Sequence, residues 1–204
     1  MKASSLAMLI ATVVAPWSWA AAQAPQINYN YLQVTAAVTR NDTALGEELD
    51  GLAAEINGNY EILDILHVFG GYAAGELDDE PLETSTIRAG IGVDFDVSAQ
   101  QSVYFDLAAV SIDTDLITEL GTVSSDVDGY GASIGYRERN HTRLEFTASL
   151  DYVEYSDLDD SNTSLTTSLQ YELTPRWRLE GGVTFGGDNE AWRFGARYYF
   201  RPPL

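Results

Sequence analysis

Two histidines, 31 acidic residues and no cysteine bound the chemistry open to this chain of 204 residues. A hydrolase or acyltransferase built on histidine needs a nucleophilic hydroxyl within reach and an acid to orient the imidazole. His67 begins a candidate strand, and His141 stands in a short polar stretch, Arg137-Glu138-Arg139-Asn140-His141, that reads as a turn. No His-x-Ser pair occurs, and no Gly-x-Ser-x-Gly elbow to expose a nucleophile is expected. His67 is read as a polar interior residue and His141 as a solvated turn residue, so no catalytic residue is assigned and the expectation is that the chain is not an enzyme. Metal binding is the second chemistry available. Asp157, Asp159, Asp160 and Asn162, and separately Glu76, Asp78, Asp79 and Glu80, offer hard oxygen donors of the kind Ca²⁺ or Mg²⁺ accepts. Neither set carries the glycine and distal glutamate of an EF-hand loop, so both are read as solvated acidic rim. No cofactor and no resident metal is expected.

The elements that position these residues follow from a period of two. At the C-terminus Trp192, Phe194, Ala196, Tyr198 and Phe200 alternate with Arg193, Gly195, Arg197 and Tyr199. Successive side chains of a strand point to opposite faces, so strict alternation is the mark of a β-strand. Ile87, Ala89, Ile91, Val93, Phe95 and Val97 alternate in the same way with Arg88, Gly90, Gly92, Asp94 and Asp96. Ten such runs are counted, at roughly 28–40, 51–62, 66–75, 84–97, 101–112, 127–138, 142–156, 163–173, 177–187 and 191–200. Eight is the second choice, because Glu61-Ile62-Leu63-Asp64-Ile65-Leu66 is a weak turn. Outside the first residues no window keeps the apolar spacing of a helix.

Connections alternate in length. Short ones fall near 63–65, 98–100, 139–141 and 174–176, whereas longer acidic ones fall near 41–50, 76–83, 113–128 and 156–162. About twenty acidic residues lie in or beside the long set, with Arg40 the only base there. Arg137, Arg139, Arg143, Arg176, Arg178 and Arg201 gather at the opposite end. One acidic rim and one basic rim are expected.

The first residues read as a processing signal: Lys2, then the apolar run Leu6–Val14, then small residues through Ala22. Residues 1–22 are expected to be removed on Sec-type export, leaving residues 23–204 as one β domain without a lysine and with a charge near −21. A formal charge of −20 excludes a nucleic-acid partner, since so few cations cannot neutralise a phosphate backbone. No later stretch approaches the roughly 18 apolar residues of a membrane helix, so a chain of this kind spans a bilayer only as a closed barrel. Aromatic residues near the strand ends (Tyr60, Phe95, Tyr136, Tyr171, Trp177 and Tyr198) suit the interfacial girdles of such a barrel.

With these features, and above all with Trp192, Phe194, Tyr198 and Phe200 alternating on a last strand, the chain resembles the small outer-membrane β-barrel proteins of Gram-negative bacteria, the group that includes the OmpA-like transmembrane domain. The resemblance spans about residues 27–200. It implies an all-β antiparallel up-and-down transmembrane barrel, a bacterial outer-membrane location, and a terminal strand read by the barrel-assembly machinery after escort by periplasmic chaperones. The tail Arg201-Pro202-Pro203-Leu204 departs from the pattern, because the family usually stops at the aromatic.

In such a barrel the aromatic faces meet lipid and the arginines point inward. Arg88, Arg143, Arg178, Arg193 and Arg197 are expected to meet Glu55, Asp94, Asp106, Glu145, Asp151, Glu172 and Glu180 in a lumenal charge network, because partnerless buried charges are expensive. The function expected is structural or surface-interacting, with acidic outer loops and a lumen filled by side chains. A small cation-preferring channel is the alternative, and a lipid-modifying enzyme a distant one. Outer-membrane lipid and lipopolysaccharide, the latter bridged through divalent cations, are the expected partners.

Overall fold

The alternation is realised as ten strands. The computed structural model describes residues 27, 29–42, 48–77, 82–118, 121–140, 143–156, 160–186 and 189–200. The expected signal segment, His141 and Arg201 lie outside them, as do Asp78, Asp79, Glu80, Asp157 and Asp159 of the two candidate cation loops. In chain order the strands are β1 (Tyr31–Asp42), β2 (Glu48–Leu63), β3 (Leu66–Leu77), β4 (Leu82–Ser98), β5 (Gln101–Thr118), β6 (Gly121–Arg139), β7 (Leu144–Tyr155), β8 (Asp160–Thr174), β9 (Trp177–Gly186) and β10 (Asn189–Tyr199). Each pairs antiparallel with its sequence neighbours, and β1 closes on β10 from Tyr31↔Tyr199 to Asn41↔Asn189. Closure removes both free edges, which is the condition for a sheet to stand in hydrocarbon. The weak turn is a real one: Asp64 and Ile65 separate β2 from β3, and the count is ten.

The polarity of the barrel is inverted relative to a water-soluble protein. Val34, Leu107 and Phe194 are 55%, 62% and 63% exposed on the outside. The largest fully buried side chains are Arg178, Tyr199, His67, Gln170 and Glu145. An apolar exterior on this scale is far beyond the patch a soluble monomer tolerates, and lipid is the solvent that suits it. Trp192, Phe194, Tyr198 and Phe200 all sit on the outer face, with Trp192 and Phe200 more than half exposed and the Tyr198 ring tilted against Trp177 and edge-on to Phe200.

The long connections are shorter than the sequence suggests. The acidic stretch 113–128, expected as a loop, is mostly strand: β5 and β6 pair without a break from Gln101↔Glu138 to Thr118↔Gly121. Acidity masked the alternation there, since Ile112, Thr114 and Leu116 still alternate with Asp113 and Asp115. At about 3.3 Å per residue the 19 residues of β6 run about 60 Å along the strand, well beyond the roughly 9–11 residues that a tilted strand needs to cross the hydrocarbon core. The β5–β6 pair therefore forms a ribbon that runs on well past the end of β7, while β4 accompanies β5 as far as Leu82↔Leu116.

The basic rim also needs correction. Arg137 and Arg139 share the parity of the lumenal positions and are buried inside, not displayed at the mouth, whereas Arg178 is buried there as expected. Arg143 goes the other way. Its positive φ of 70° breaks the alternation just before β7, and the side chain is exposed at the turn instead of joining a lumenal network.

Candidate functional site

The interior is where this fold brings chemistry-bearing groups together. Near the short-turn end, Glu145 on β7 is 1% exposed and lies between two guanidinium groups. Arg137 on β6 donates to Glu145 Oε1 from Nη2 at 2.6 Å and from Nε at 3.1 Å. Arg178 on β9 donates to Glu145 Oε2 and, at 3.0 Å, to the Tyr199 hydroxyl. One buried anion thus ties together β6, β7 and β9, while Tyr199 brings in β10. Arg139 pairs with Glu172 just below.

Aromatic rings complete this layer. The Arg178 guanidinium lies 4.4 Å from the Tyr199 ring centroid, Arg137 4.6 Å from Tyr29, and Arg197 4.0 Å from Tyr31. A guanidinium stacked on a ring keeps part of its electrostatic stabilisation without water. Tyr29 precedes β1, so the segment entering the barrel supplies one of the plugging rings. Its face stacks on His67 at 4.6 Å with the planes 14° apart.

His67 is held by two carboxylates. Nε2 is 3.0 Å from Asp106 Oδ1, and Nδ1 is 3.7 Å from Asp94 Oδ1. Gly92 makes room for them: a Cβ there would stand 2.0 Å from Asp106 Oδ1 and 2.3 Å from His67 Nε2. Gly135 does the same for Tyr104, whose Cζ would lie 2.1 Å from such a Cβ. Glycines at these two positions let large polar side chains lie flat across the lumen.

Above this layer Arg197 donates to Gln33 Oε1 at 2.6 and 2.9 Å and to Glu180 Oε2 at 3.1 Å. Arg193 pairs with Glu55. A cavity of about 320 Å³ opens here, lined by hydroxyls such as Ser133, Ser149, Thr166 and Thr184, with Arg88 and Arg193 at its wall.

Of the expected network, Asp94 and Asp106 meet at His67, Glu145 binds Arg137 and Arg178, and Arg193 and Arg197 each find a glutamate. Arg88 faces the cavity and rests over the Phe69 ring at 5.5 Å, with no ion pair to any described carboxylate. Arg143 is outside, as described above. The reading of the sequence missed Arg137 as an interior residue, together with Tyr29 and Tyr199. Parity would have placed all three inside, and the turn-proximal arginines were misread as rim.

Catalytic geometry is a separate matter. Gly131-Ala132-Ser133-Ile134-Gly135 has the spelling of a nucleophile elbow, which corrects the reading that the chain contains no Gly-x-Ser-x-Gly stretch. It runs straight through β6, and the Ser133 hydroxyl donates to Asp151 Oδ1 rather than to a histidine. A strand–turn–helix context is what makes that spelling a nucleophile. Among the described residues the His67 imidazole has carboxylate partners but no serine hydroxyl bonded to it.

No family model matches the chain, and no curated protein sequence matches it. Solved structures do. Neisserial surface protein A superposes with a TM-score of 0.50 at 15% identity, covering 83% of this chain and 96% of that one. The KdgM porin in complex with disordered oligogalacturonate superposes at 0.50 with 12% identity, covering 84% and 99%. The translocator domain of the autotransporter NalP from Neisseria meningitidis superposes at 0.51 with 8% identity, covering 87% and 91%. Inverted polarity, closure of β1 on β10 and these superpositions together assign the chain the fold of the small outer-membrane β-barrel proteins.

Proposed function

We propose that this is an integral outer-membrane protein whose barrel is sealed and which acts through its outer surface, not as a channel. A surface protein, a porin and a translocator share its fold, so the fold does not choose among these roles. The content of the lumen supports the first of these readings. The observation that carries the reading is Glu145 clasped by Arg137 and Arg178, with Tyr29, Tyr199 and Arg197 packed around them, across the short-turn end. The cavity above reaches Tyr31 and Arg197, and a smaller one of about 120 Å³ beside it is lined by Tyr29, His67 and Arg137. A pore needs a continuous wet path, and the ion pairs occupy it with side chains less than a tenth exposed.

In this reading both termini and the short turns face the periplasm after Sec-type export, and the long ends of β4, β5 and β6 face outward. Their acids then lie at the level of lipopolysaccharide phosphates, where divalent cations bridge the two. Catalysis forms no part of the proposal. Planar-bilayer recording of the refolded protein tests it. A heat-modifiable, folded barrel that leaves the bilayer silent supports the sealed lumen, and discrete cation-selective steps overturn it in favour of the channel.

A further inference from the structure

The projecting β5–β6 ribbon carries an open sheet edge. Pairing of β6 with β7 begins at Gly129↔Tyr155, whereas pairing of β6 with β5 continues to Gly121↔Thr118. The last bond across to the β7 side is Ser156 N–H to the Asp128 carbonyl at 2.8 Å. Antiparallel bonding alternates by two residues, so Asp126, Ser124 and Thr122 turn their N–H and C=O groups to that same side. No described strand pairs with them there.

Free edges are normally guarded by lysine, proline or a bulge. Gly121–Val127 has no lysine and no proline, and the β5–β6 register runs without a bulge. The ribbon is also two-faced. On the side continuous with the lumen, Ile112 faces Val127 and Leu116 faces Val123, which is 62% exposed. On the other side Asp113 lies directly opposite Asp126, and Asp115 opposite Glu83 on β4. Like charges in directly opposed positions destabilise a sheet unless something neutralises them. The ribbon from Val110 to Asp128 contains no basic residue.

We propose that this edge is a docking site for an extended segment of another protein, added as a strand beside Thr122–Val127. The segment alternates apolar with basic side chains, the apolar ones meeting Val123 and Val127 and the basic ones meeting Asp126 and Asp113. Backbone pairing supplies the binding and alternate side chains the selectivity, as strand addition requires. A second copy of this chain is the wrong occupant, since edge-to-edge pairing would bring acidic faces together. The proposal deepens the surface role proposed above and rests on the outward orientation of the long strands.

The test is fluorescence anisotropy of a labelled eight-residue peptide alternating valine and arginine, titrated with the refolded protein in zwitterionic micelles. Two further peptides are compared: one N-methylated at alternate amides, and one with glutamate in place of arginine. Saturable binding of the parent peptide, weakened at least tenfold by N-methylation and abolished by glutamate, is expected. Ser124→Pro should weaken it as much, because the Ser124 N–H points to the free side and no β5 bond is lost. Retained heat-modifiable gel mobility shows that this variant is folded. Equal binding of the N-methylated peptide or by Ser124→Pro overturns strand addition, leaving a charge contact. Absence of saturable binding overturns the site, as does self-association abolished by Ser124→Pro in a protein that ignores the peptide. None of these outcomes depends on conductance, so failure here is distinct from failure of the sealed lumen.

Discussion

Replacing Glu145 by alanine should be among the most damaging single changes in the barrel. The carboxylate is the shared partner of Arg137 and Arg178, both buried to 3% exposure or less. Its removal leaves two guanidinium groups facing each other with no anion between them. Arg178 keeps the Tyr199 hydroxyl and both keep their ring contacts, so the loss is not total. Breaking a buried pair by deleting one partner typically costs about 3–5 kcal/mol, and a lost stability of that size is expected here. The assay is equilibrium unfolding in urea in lipid vesicles, followed by tryptophan fluorescence and by gel mobility, with unfolding and refolding curves required to coincide. A second variant separates charge from packing. Changing Glu145, Arg137 and Arg178 together to leucine or methionine removes the desolvated ions along with their attraction, and such replacements are often neutral. The triple variant should therefore recover most of what the single one loses. A Glu145→Ala barrel within about 1 kcal/mol of wild type would refute the reasoning, because it would mean that water screens the triad and the layer is not a seal.

Three other outcomes follow from the geometry. Gly135→Ala places a Cβ against the Tyr104 ring and should cost about 1–3 kcal/mol, the usual range for overpacking; adding Tyr104→Ser should restore stability in the same unfolding assay. Leu107→Arg, on the lipid face of β5, should cost about 2–4 kcal/mol if that position lies near the bilayer midplane, and unfolding in vesicles compared with short-chain detergent would reveal its dependence on lipid thickness. If acidic strand ends reach lipopolysaccharide through divalent cations, EDTA should lower the lipopolysaccharide that co-purifies with the barrel; an unchanged yield would count against that partner.

A residue-by-residue comparison explains what was legible in the sequence. The period of two sets the face of almost every side chain, because a strand has only two faces and a bilayer leaves no doubt about which is apolar. Trp192 and Phe194 on the outside with Arg193 and Arg197 inside follow from parity alone. Ten strands, antiparallel neighbours and the closed up-and-down barrel follow from counting the runs, given a membrane as solvent. Parity fails only where the backbone departs from extended geometry, as at Arg143 with its φ of 70°. Acidic content misled where it was taken for a loop, since the charges of Asp113 and Asp126 sit on one face of a ribbon that is still regularly paired.

Position along and around the lumen was decided only by the tertiary structure. Sequence says that Arg137, Glu145 and Arg178 all point inward. It does not say that they point at one another, because their meeting depends on the register of three strand pairs and on how far round the barrel β9 stands from β6. The same holds for Tyr29 against His67, joined across residues that no local period connects. The open edge at Thr122–Val127 exists because β7 ends where β6 continues, which is a property of two strands compared and of neither alone. A period of two fixes which way a side chain faces; register and closure fix what it meets.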